Sequence, residues 1–399
     1  MPPVKPARPS CTQRVRMASL RALARLFTTS IHAATTKHPR EKHLKRNIRL
    51  VSSKSEIAFP YPANERQRLE PASRTVTHKL LSRWRTLRTR KKPSGTRLIP
   101  LNPDGIKPLA ASDIPLIFLT RNSLRFLESF LTHYRGLGVT RFLCVDDQST
   151  DGTREKLLNE PDVDLFGSDV RYREAKGGLM WREALVGLYG TQRWYLNVDC
   201  DEYLVYGGCE TKKLPEFIQR LEAAGILHCP APMIDFYPED SISSAVFDGS
   251  NNSMPWTIAN MFDRSGYRLF RTSSGMIMSG GPRDRVLGRP AIHDELMKYP
   301  LVYVEHDTTF SVSIHKPWPF TRNFSPIVGS LLHFKFFNET ESLIKEAIRD
   351  NQYYKGSRSY KSMLKALDEG KLVNLKSDIS VHYENSRQLE QLGFFKTLF

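Results

Sequence analysis

Residues 194–204 read WYLNVDCDEYL, an apolar run that ends in three acidic side chains within four positions. Side chains alternate along an extended backbone, so Asp199 and Asp201 are expected to point the same way from the end of a buried strand. Two such carboxylates form a hard oxygen site that suits Mg²⁺ or Mn²⁺, and such an ion binds a diphosphate. Ligands bind at the carboxyl ends of strands in open α/β sheets, so the stretch predicts an α/β fold with a metal-assisted diphosphate site. The competing interpretation is a polar turn.

A second apolar run of strand length, residues 114–119, leads into Thr120, Arg121 and Asn122. Apolar residues then recur at helical spacing from Leu124 to Leu131, which predicts a strand-to-helix turn at this point. Free backbone N–H groups at the start of a helix and the Arg121 side chain suit contact with a nucleotide. The alternative is an ordinary helix cap.

A third short strand is predicted over residues 141–145, and it ends in Asp146 and Asp147 before a Ser/Thr/Asp/Gly turn at 149–153. A carboxylate at such a strand end is able to accept a hydrogen bond from a nucleotide base or a ribose hydroxyl. Turn chemistry alone also favours these residue types. Three polar strand ends in this order are nevertheless hard to explain as coincidence.

Together, the Thr120-Arg121-Asn122 corner, the VDDQSTDGT segment at 145–153 and the Asp199-x-Asp201 pair resemble glycosyltransferase family 2. The Asp-x-Asp-Glu-Tyr form is similar to the branch that overlaps with family 92-like transferases, and the match is best over residues 113–206. The resemblance implies a GT-A fold, a nucleotide-sugar donor (most simply a UDP-sugar), a divalent metal and inversion at the anomeric carbon. It also implies that Lys176 and Gly177, in the turn before the next helix, lie near the donor. The asparagine usual in that helix is replaced here by Arg182 or Glu183.

Two later segments supply further candidates for the site. His333 and Lys335 alternate on one predicted strand, which would bring an imidazole to the metal and an ammonium to the diphosphate; the alternative is a structural histidine. The resemblance implies that the catalytic base is an acid beyond the Asp-x-Asp pair, and Asp284, in a tight glycine-containing turn, is the first choice. Glu239 or Asp240 are the alternatives, because the arginines that flank Asp284 are expected to lower its pKa.

The net charge of +17 comes from the first hundred residues, which hold 24 of the 59 Lys and Arg side chains but only 4 of the 42 Asp and Glu. Residues 1–100 are therefore predicted to be a disordered basic arm, followed by a GT-A domain at 108–340 and a C-terminal helical extension at 341–399. Within the arm, residues 14–28 and 78–90 have amphipathic character. They are consistent with a presequence, with a segment that lies on a membrane surface, or with translation that starts at Met17 or later.

No run approaches the roughly 18 apolar residues that a membrane-spanning helix needs. The five cysteines are scattered without metal-ligand spacing, and Cys144 and Cys200 fall in predicted buried strands. This pattern predicts a reducing, cytoplasmic location, peripheral to a membrane if the arm binds one.

The resemblance thus implies a metal-dependent inverting glycosyltransferase of polysaccharide biosynthesis that acts on a glycan, a lipid-linked acceptor or another hydroxyl compound. One alternative is a nucleotidyltransferase on the same type of sheet, although the glycine-rich loop usual after its first strand is lacking. Another is a non-catalytic carbohydrate-binding relative. Nucleic acid is not an expected partner, because the body of the chain is nearly neutral, and binding of nucleic acid through the Arg-rich arm is the third alternative.

Overall fold

The computed structural model describes residues 55–57, 59–61, 96–250, 253–272, 274–287, 295–310, 313 and 315–399. This part of the chain forms an α/β fold around one large sheet. The strands are β1 Ser55–Ile57, β2 Leu98–Pro100, β3 Pro115–Thr120, β4 Arg141–Asp146, β5 Val163–Ser168, β6 Arg193–Asn197, β7 Glu202–Tyr206, β8 His228–Phe236, β9 Met261–Asp263, β10 Tyr267–Arg271, β11 Met276–Gly280, β12 Met297–Val304, β13 Gly329–Phe334 and β14 Ser380–His382. The helices are α1 Leu124–Leu137, α2 Thr153–Leu158, α3 Leu179–Tyr189, α4 Leu214–Ala223, α5 Gly281–Leu287, α6 Thr340–Asp350, α7 Tyr354–Asp368 and α8 Ser386–Gln391.

Within the described residues the central sheet has nine strands in the order β2-β5-β4-β3-β6-β12-β8-β13-β7. Strands β5, β4, β3 and β6 are parallel to one another, β12 is antiparallel to both its neighbours, and β8 and β13 are again parallel. The edge strand β7 runs antiparallel to β13. The carboxyl ends of β3, β4, β6, β8 and β13 therefore meet the amino ends of β7 and β12 at one edge of the sheet.

The predicted strand-to-helix turn after Thr120 is confirmed. Strand β3 is almost wholly buried, and the following helix α1 buries Phe126, Leu127, Phe130 and Leu131 on one face. Residue 138 ends the helix because its glycine adopts φ 103°, which a side chain disfavours. The corner between β3 and α1 is thus held at the site edge of the sheet.

The Asp-x-Asp pair does not lie on a strand, contrary to the extended geometry assumed above. Strand β6 ends at Asn197 and β7 begins at Glu202, so residues 198–201 form the connection between the middle and the edge of the sheet. Cys144 is buried in β4 as predicted, whereas Cys200 is buried in this connection instead of in a strand.

Two short strands lie within the residues that were predicted to form the basic arm. Strand β1 pairs with β10, and β2 pairs with β5 at the edge of the central sheet. Phe59 packs edge-on against Phe394 with ring centroids 5.3 Å apart, and Tyr61 is buried, with its backbone N–H donating to the Gly393 carbonyl. The amphipathic segments 14–28 and 78–90 lie outside the described residues.

Helices α6 and α7 lie within the predicted C-terminal segment, and this segment also contributes side chains to the main core. Leu389, Phe394 and Phe395 are buried in the main hydrophobic core. No helix among the described residues is long and apolar enough to span a membrane.

We expect removal of residues 1–52 to leave the melting temperature within about 2 °C of the parent, because every described contact is retained. Removal of residues 1–95 should lower it by about 5 °C or more, since Phe59 and Tyr61 leave the core and losing a buried aromatic side chain costs about 3–5 kcal/mol. Differential scanning calorimetry of the full-length protein and both truncated proteins measures this. Equal melting temperatures for all three would contradict the role of the 55–61 segment.

Candidate functional site

Two neighbouring cavities open at the edge of the sheet where the strand ends meet. The smaller, of about 250 Å³, is lined by the predicted residues Thr120, Arg121, Asn122, Asp147, Asp199 and Asp201. The larger, of about 730 Å³, is lined among others by Lys176, Gly177, Asp199 and His333. Asp199 borders both cavities, so the connection between β6 and β7 lies where they meet.

Asp199 is held between two cations that come from different elements. Its Oδ1 accepts a hydrogen bond from Arg182 Nη2 on α3 at 3.0 Å, and its Oδ2 accepts one from Lys298 Nζ on β12 at 2.8 Å. Lys298 also donates to Glu202, whose other oxygen accepts from the Asp199 backbone N–H at 3.2 Å. Arg182 and Lys298 are buried, so this network fixes the start of the Asp-x-Asp connection from inside the sheet.

Asp201 belongs to a second network on β13 and β8. Its Oδ2 lies 3.1 Å from Lys335 Nζ and 3.5 Å from His333 Nε2. The other ring nitrogen, His333 Nδ1, lies 2.5 Å from Asp235 Oδ1, and Asp235 also accepts two hydrogen bonds from Arg283 at 2.7 and 3.1 Å. The predicted alternation of His333 and Lys335 therefore does bring both side chains to Asp201.

These partners keep both aspartates ionised. Burial raises the pKa of Asp199, but attraction to Lys298 and Arg182 outweighs it and brings the pKa down to about 2. The pKa of Asp201 likewise falls well below its usual range, because Lys335 and His333 outweigh the effect of burial. Both carboxylates are thus available as anionic ligands at neutral pH.

The oxygen and nitrogen atoms of Asp201, Glu202 and His333 lie within 4.8 Å of one another, close enough to hold one metal ion. Carboxylate oxygens with an imidazole nitrogen suit Mn²⁺, and each carboxylate retains lone pairs beyond those used by the lysines. The predicted ligands were Asp199, Asp201 and His333. The structure brings Asp201 and His333 together and adds Glu202, whereas Asp199 does not belong to this group of ligand atoms.

The two aspartates at the end of β4 have different surroundings. Asp146 is buried and accepts hydrogen bonds from the Ser149 backbone N–H at 3.1 Å and from Arg154 Nε at 2.8 Å, so it stabilises the turn. Asp147 borders the smaller cavity and pairs with Arg171 Nε at 2.8 Å. Of the two predicted nucleotide ligands, Asp147 borders one of the two cavities and Asp146 borders neither.

Arg121 and Asn122 connect the corner between β3 and α1 to the turn after β4 and to helix α6. Arg121 Nη1 donates to the backbone carbonyls of Asp147 and Gln148 at 2.8 and 3.0 Å, and its Nε pairs with Asp350 at 3.1 Å. The Asn122 amide donates to Glu346 Oε1 at 2.9 Å. Helix α6, which carries Glu346 and Asp350, therefore forms a wall of the smaller cavity.

The neighbouring side chains of Arg182 and Glu183 have partners in different parts of the fold. Arg182 points to the site, where its Nε donates to Asn197 Oδ1 at 2.6 Å and its Nη2 to Asp199. Glu183 instead accepts from the Thr309 hydroxyl at 2.7 Å. Arg182 thus supplies a contact to the Asp-x-Asp connection from α3, whereas Glu183 has its partner elsewhere.

Asp284 lies on helix α5, although a tight turn was predicted there, and it lines neither of the two cavities. Its neighbours Arg283 and Arg285 pair with Asp235 and Asp263. Glu239 pairs with Lys376 at 2.7 Å away from both cavities. By contrast Glu295 borders the larger cavity, where it pairs with Lys316 at 2.9 Å.

Sequence reasoning missed several residues of the site, including Asp235, Lys298 and the tyrosines Tyr353 and Tyr360, which border both cavities. A signal was present for the first two, since each is a charged residue within a run that is otherwise suited to a buried strand. No comparable signal marks the tyrosines, because aromatic residues at helical spacing are usual in a core.

No protein-family model matches the sequence, and no curated protein is detectably similar to it. Among solved structures, a UDP-glucose pyrophosphorylase from Acinetobacter baumanii matches at 9% identity and a TM-score of 0.22, over 64% of this chain and 82% of that one. A putative glucose-1-phosphate thymidylyltransferase from Bacillus anthracis matches at 7% identity and a TM-score of 0.22, over 71% and 94%. Likeness at this level does not assign an activity, which has to be inferred from the site itself.

Proposed function

We propose that this protein is a metal-dependent, inverting glycosyltransferase that transfers a sugar from a nucleotide-sugar donor to a hydroxyl acceptor. The observation that supports this most directly is the convergence of three sequence-distant polar segments on one cavity. Asn122, Asp147 and Asp199 follow the strands β3, β4 and β6, and all three border the smaller cavity. Resemblance to glycosyltransferase family 2 is carried by these same segments.

The smaller cavity suits the nucleoside diphosphate part of the donor. Asp147 and Asn122 offer an acceptor and an amide to a base or ribose, and Tyr172, Tyr353 and Tyr360 supply aromatic surface on which a base or sugar ring can lie. Lys335 provides a cation beside Asp201 for the diphosphate. A uridine diphosphate donor is the specific form that we propose.

Mn²⁺ or Mg²⁺ would be held by Asp201 and His333 with Glu202, and when bound it would neutralise charge on the departing diphosphate. Asp235 and Arg283 orient His333 by fixing its Nδ1 side, which leaves Nε2 directed at Asp201. Arg182 and Lys298 hold Asp199 in place. The chain therefore contributes placement and electrostatics instead of a covalent intermediate.

An inverting transfer also needs a general base beside the acceptor hydroxyl, on the face of the sugar opposite the leaving diphosphate. The larger cavity adjoins Asp199 and offers room for the acceptor. Among the described residues, Glu295 is the carboxylate of this cavity that lies outside the Asp199–Lys298–Glu202 network and outside the candidate metal ligands. We therefore favour Glu295 over Asp284 as the base.

A nucleotidyltransferase that forms nucleotide sugars is the second candidate, since it also needs a nucleotide and a metal at the strand ends. The absence of a glycine-rich loop after β3, where the sequence reads Thr-Arg-Asn-Ser, speaks against it.

Thermal shift of the full-length protein with UDP, GDP, ADP and CDP, each with and without Mn²⁺, tests the donor class, because a ligand that binds only the folded state raises its stability. We expect stabilisation by one nucleoside diphosphate, UDP, that depends on the metal. Product analysis then separates the two enzyme classes. Release of nucleoside diphosphate from a nucleotide sugar supports the transferase, whereas pyrophosphate formed from a nucleoside triphosphate and a sugar phosphate supports the nucleotidyltransferase and overturns our proposal.

A further inference from the structure

The larger cavity has a positively charged rim. Arg173, Lys176 and Arg358 border it, all three are exposed, and none forms an ion pair with another described residue. Arg173 and Lys176 come from the segment between β5 and α3, whereas Arg358 comes from α7. Two parts of the chain that are far apart in sequence therefore place cations around one opening.

The charges deeper in this cavity are matched by partners of opposite sign. Each of the other ionic side chains that border the cavity takes part in an ion pair: Lys298 with Asp199 and Glu202, Lys335 with Asp201, Arg283 with Asp235, and Glu295 with Lys316. Since these inner charges largely cancel, the three rim cations determine the sign of the potential that a ligand meets on entry.

The backbone that carries two of the rim cations is fixed by packing. Lys176, Gly177 and Gly178 all have positive φ values of 54°, 70° and 75°. The position of Gly178 favours glycine because its φ of 75° is strained for a residue with a side chain, and a Cβ atom there would lie 2.0 Å from Leu119 Cδ1 on strand β3. The turn is thus anchored on the sheet, and its cations are presented at a defined place beside the cavity.

We propose that the larger cavity binds the acceptor and that this acceptor is anionic, a hydroxyl compound that carries a phosphate or carboxylate group. The cavity volume of about 730 Å³ lies in the range of small-molecule sites. An anionic group at the rim would form charge-assisted hydrogen bonds with Arg173, Lys176 and Arg358. A neutral glycan would leave all three cations without a partner. The positive charge of the rim therefore favours an anionic acceptor over a neutral one.

This inference rests on the proposed function, because it assigns the second substrate of the same transfer. The acceptor hydroxyl would bond to the anomeric carbon as the bond to the diphosphate oxygen breaks, and its proton would pass to Glu295. The anionic group takes no part in these bonds and serves only to hold the acceptor at the mouth of the cavity.

Calorimetric titration of the full-length protein with glucose, glucose 6-phosphate and glucuronate tests the proposal without donor turnover. We expect at least one anionic probe to bind about tenfold or more tightly than glucose, with the preference reduced by added salt. Binding should persist in the presence of saturating UDP and Mn²⁺, since the nucleotide is assigned to the other cavity.

A triple variant, Arg173→Gln, Lys176→Gln and Arg358→Gln, should weaken binding of the anionic probe by about tenfold or more. UDP binding should be unchanged, because all three side chains, including the predicted donor ligand Lys176, border the larger cavity and not the smaller one. The matched control is Lys107→Gln, Arg268→Gln and Lys361→Gln, which removes three exposed cations that border neither cavity. This control changes net charge equally and should bind the probe like the parent.

Three results would overturn the inference: equal binding of neutral and anionic probes, unchanged binding in the rim variant, or displacement of the probe by UDP. Failure of the proposed function would look different, because sugar transfer and metal-dependent UDP binding would then be missing in the parent while the rim-dependent binding of anions remained.

Discussion

Replacement of Asp201 by Asn is expected to lower sugar transfer by about a thousandfold. Metal ions contribute several kcal/mol of charge stabilisation, and about 1.4 kcal/mol corresponds to a factor of ten in rate. Asp201 is the residue that joins the candidate metal ligands to Lys335, and asparagine keeps its shape but not its charge. Initial rates at saturating donor over a series of Mn²⁺ concentrations measure the effect, together with Mn²⁺ affinity by electron paramagnetic resonance.

The fold should tolerate this change, because Lys335 remains 27% exposed on its side chain and can be hydrated when its partner is neutral. Asp199→Asn is a less clean test, since Arg182 and Lys298 are buried and would lose a charged partner. Asp104→Asn, at an exposed position away from both cavities, provides the control for a neutralised carboxylate. Activity of the Asp201 variant within tenfold of the parent, or full parent activity in the presence of EDTA, would rule out the metal role.

The parallel half of the sheet and the placement of its polar ends could be predicted from local sequence. Strands β3, β4 and β6 are short apolar runs, each followed by polar residues, and the carboxyl ends of parallel strands necessarily share one edge. Asp147, Asp199 and Asp201 were assigned to one site on this basis alone. The same reasoning did not separate Asp147 from Asp146, because the two carboxylates are adjacent in sequence and only packing decides which one closes the turn.

The antiparallel half of the site could not be derived in this way. Lys298 and Asp235 reach the site because β12 and β8 are inserted between β6 and β13, a strand order that depends on long-range pairing. The small elements at 55–61 and 98–100 were assigned to the arm because charge averaged over a hundred residues conceals a three-residue strand. Composition describes the average of a segment, whereas β1 and β2 depend on a few residues with partners more than sixty positions away.

Replacement of Glu295 by Gln is expected to lower kcat by about a hundredfold to ten-thousandfold, the usual contribution of a general base, and to leave donor and metal binding intact. Glu295 borders the larger cavity, as Asp199 does, whereas Asp284 on α5 borders neither cavity. Asp284→Asn should therefore retain transfer within about threefold of the parent. Rates at saturating donor and acceptor, with UDP affinity measured separately, distinguish loss of chemistry from loss of binding.

The ion pair between Glu295 and Lys316 provides the matched control for this assignment. Lys316→Met removes the pair but keeps the carboxylate, so a purely structural role predicts similar losses in Lys316→Met and Glu295→Gln. A catalytic role predicts that only Glu295→Gln loses transfer, since the carboxylate and not the pair accepts the proton. If Asp284→Asn is inactive and Glu295→Gln transfers normally, the base is Asp284, and helix α5 must then approach the acceptor more closely than its position outside both cavities indicates.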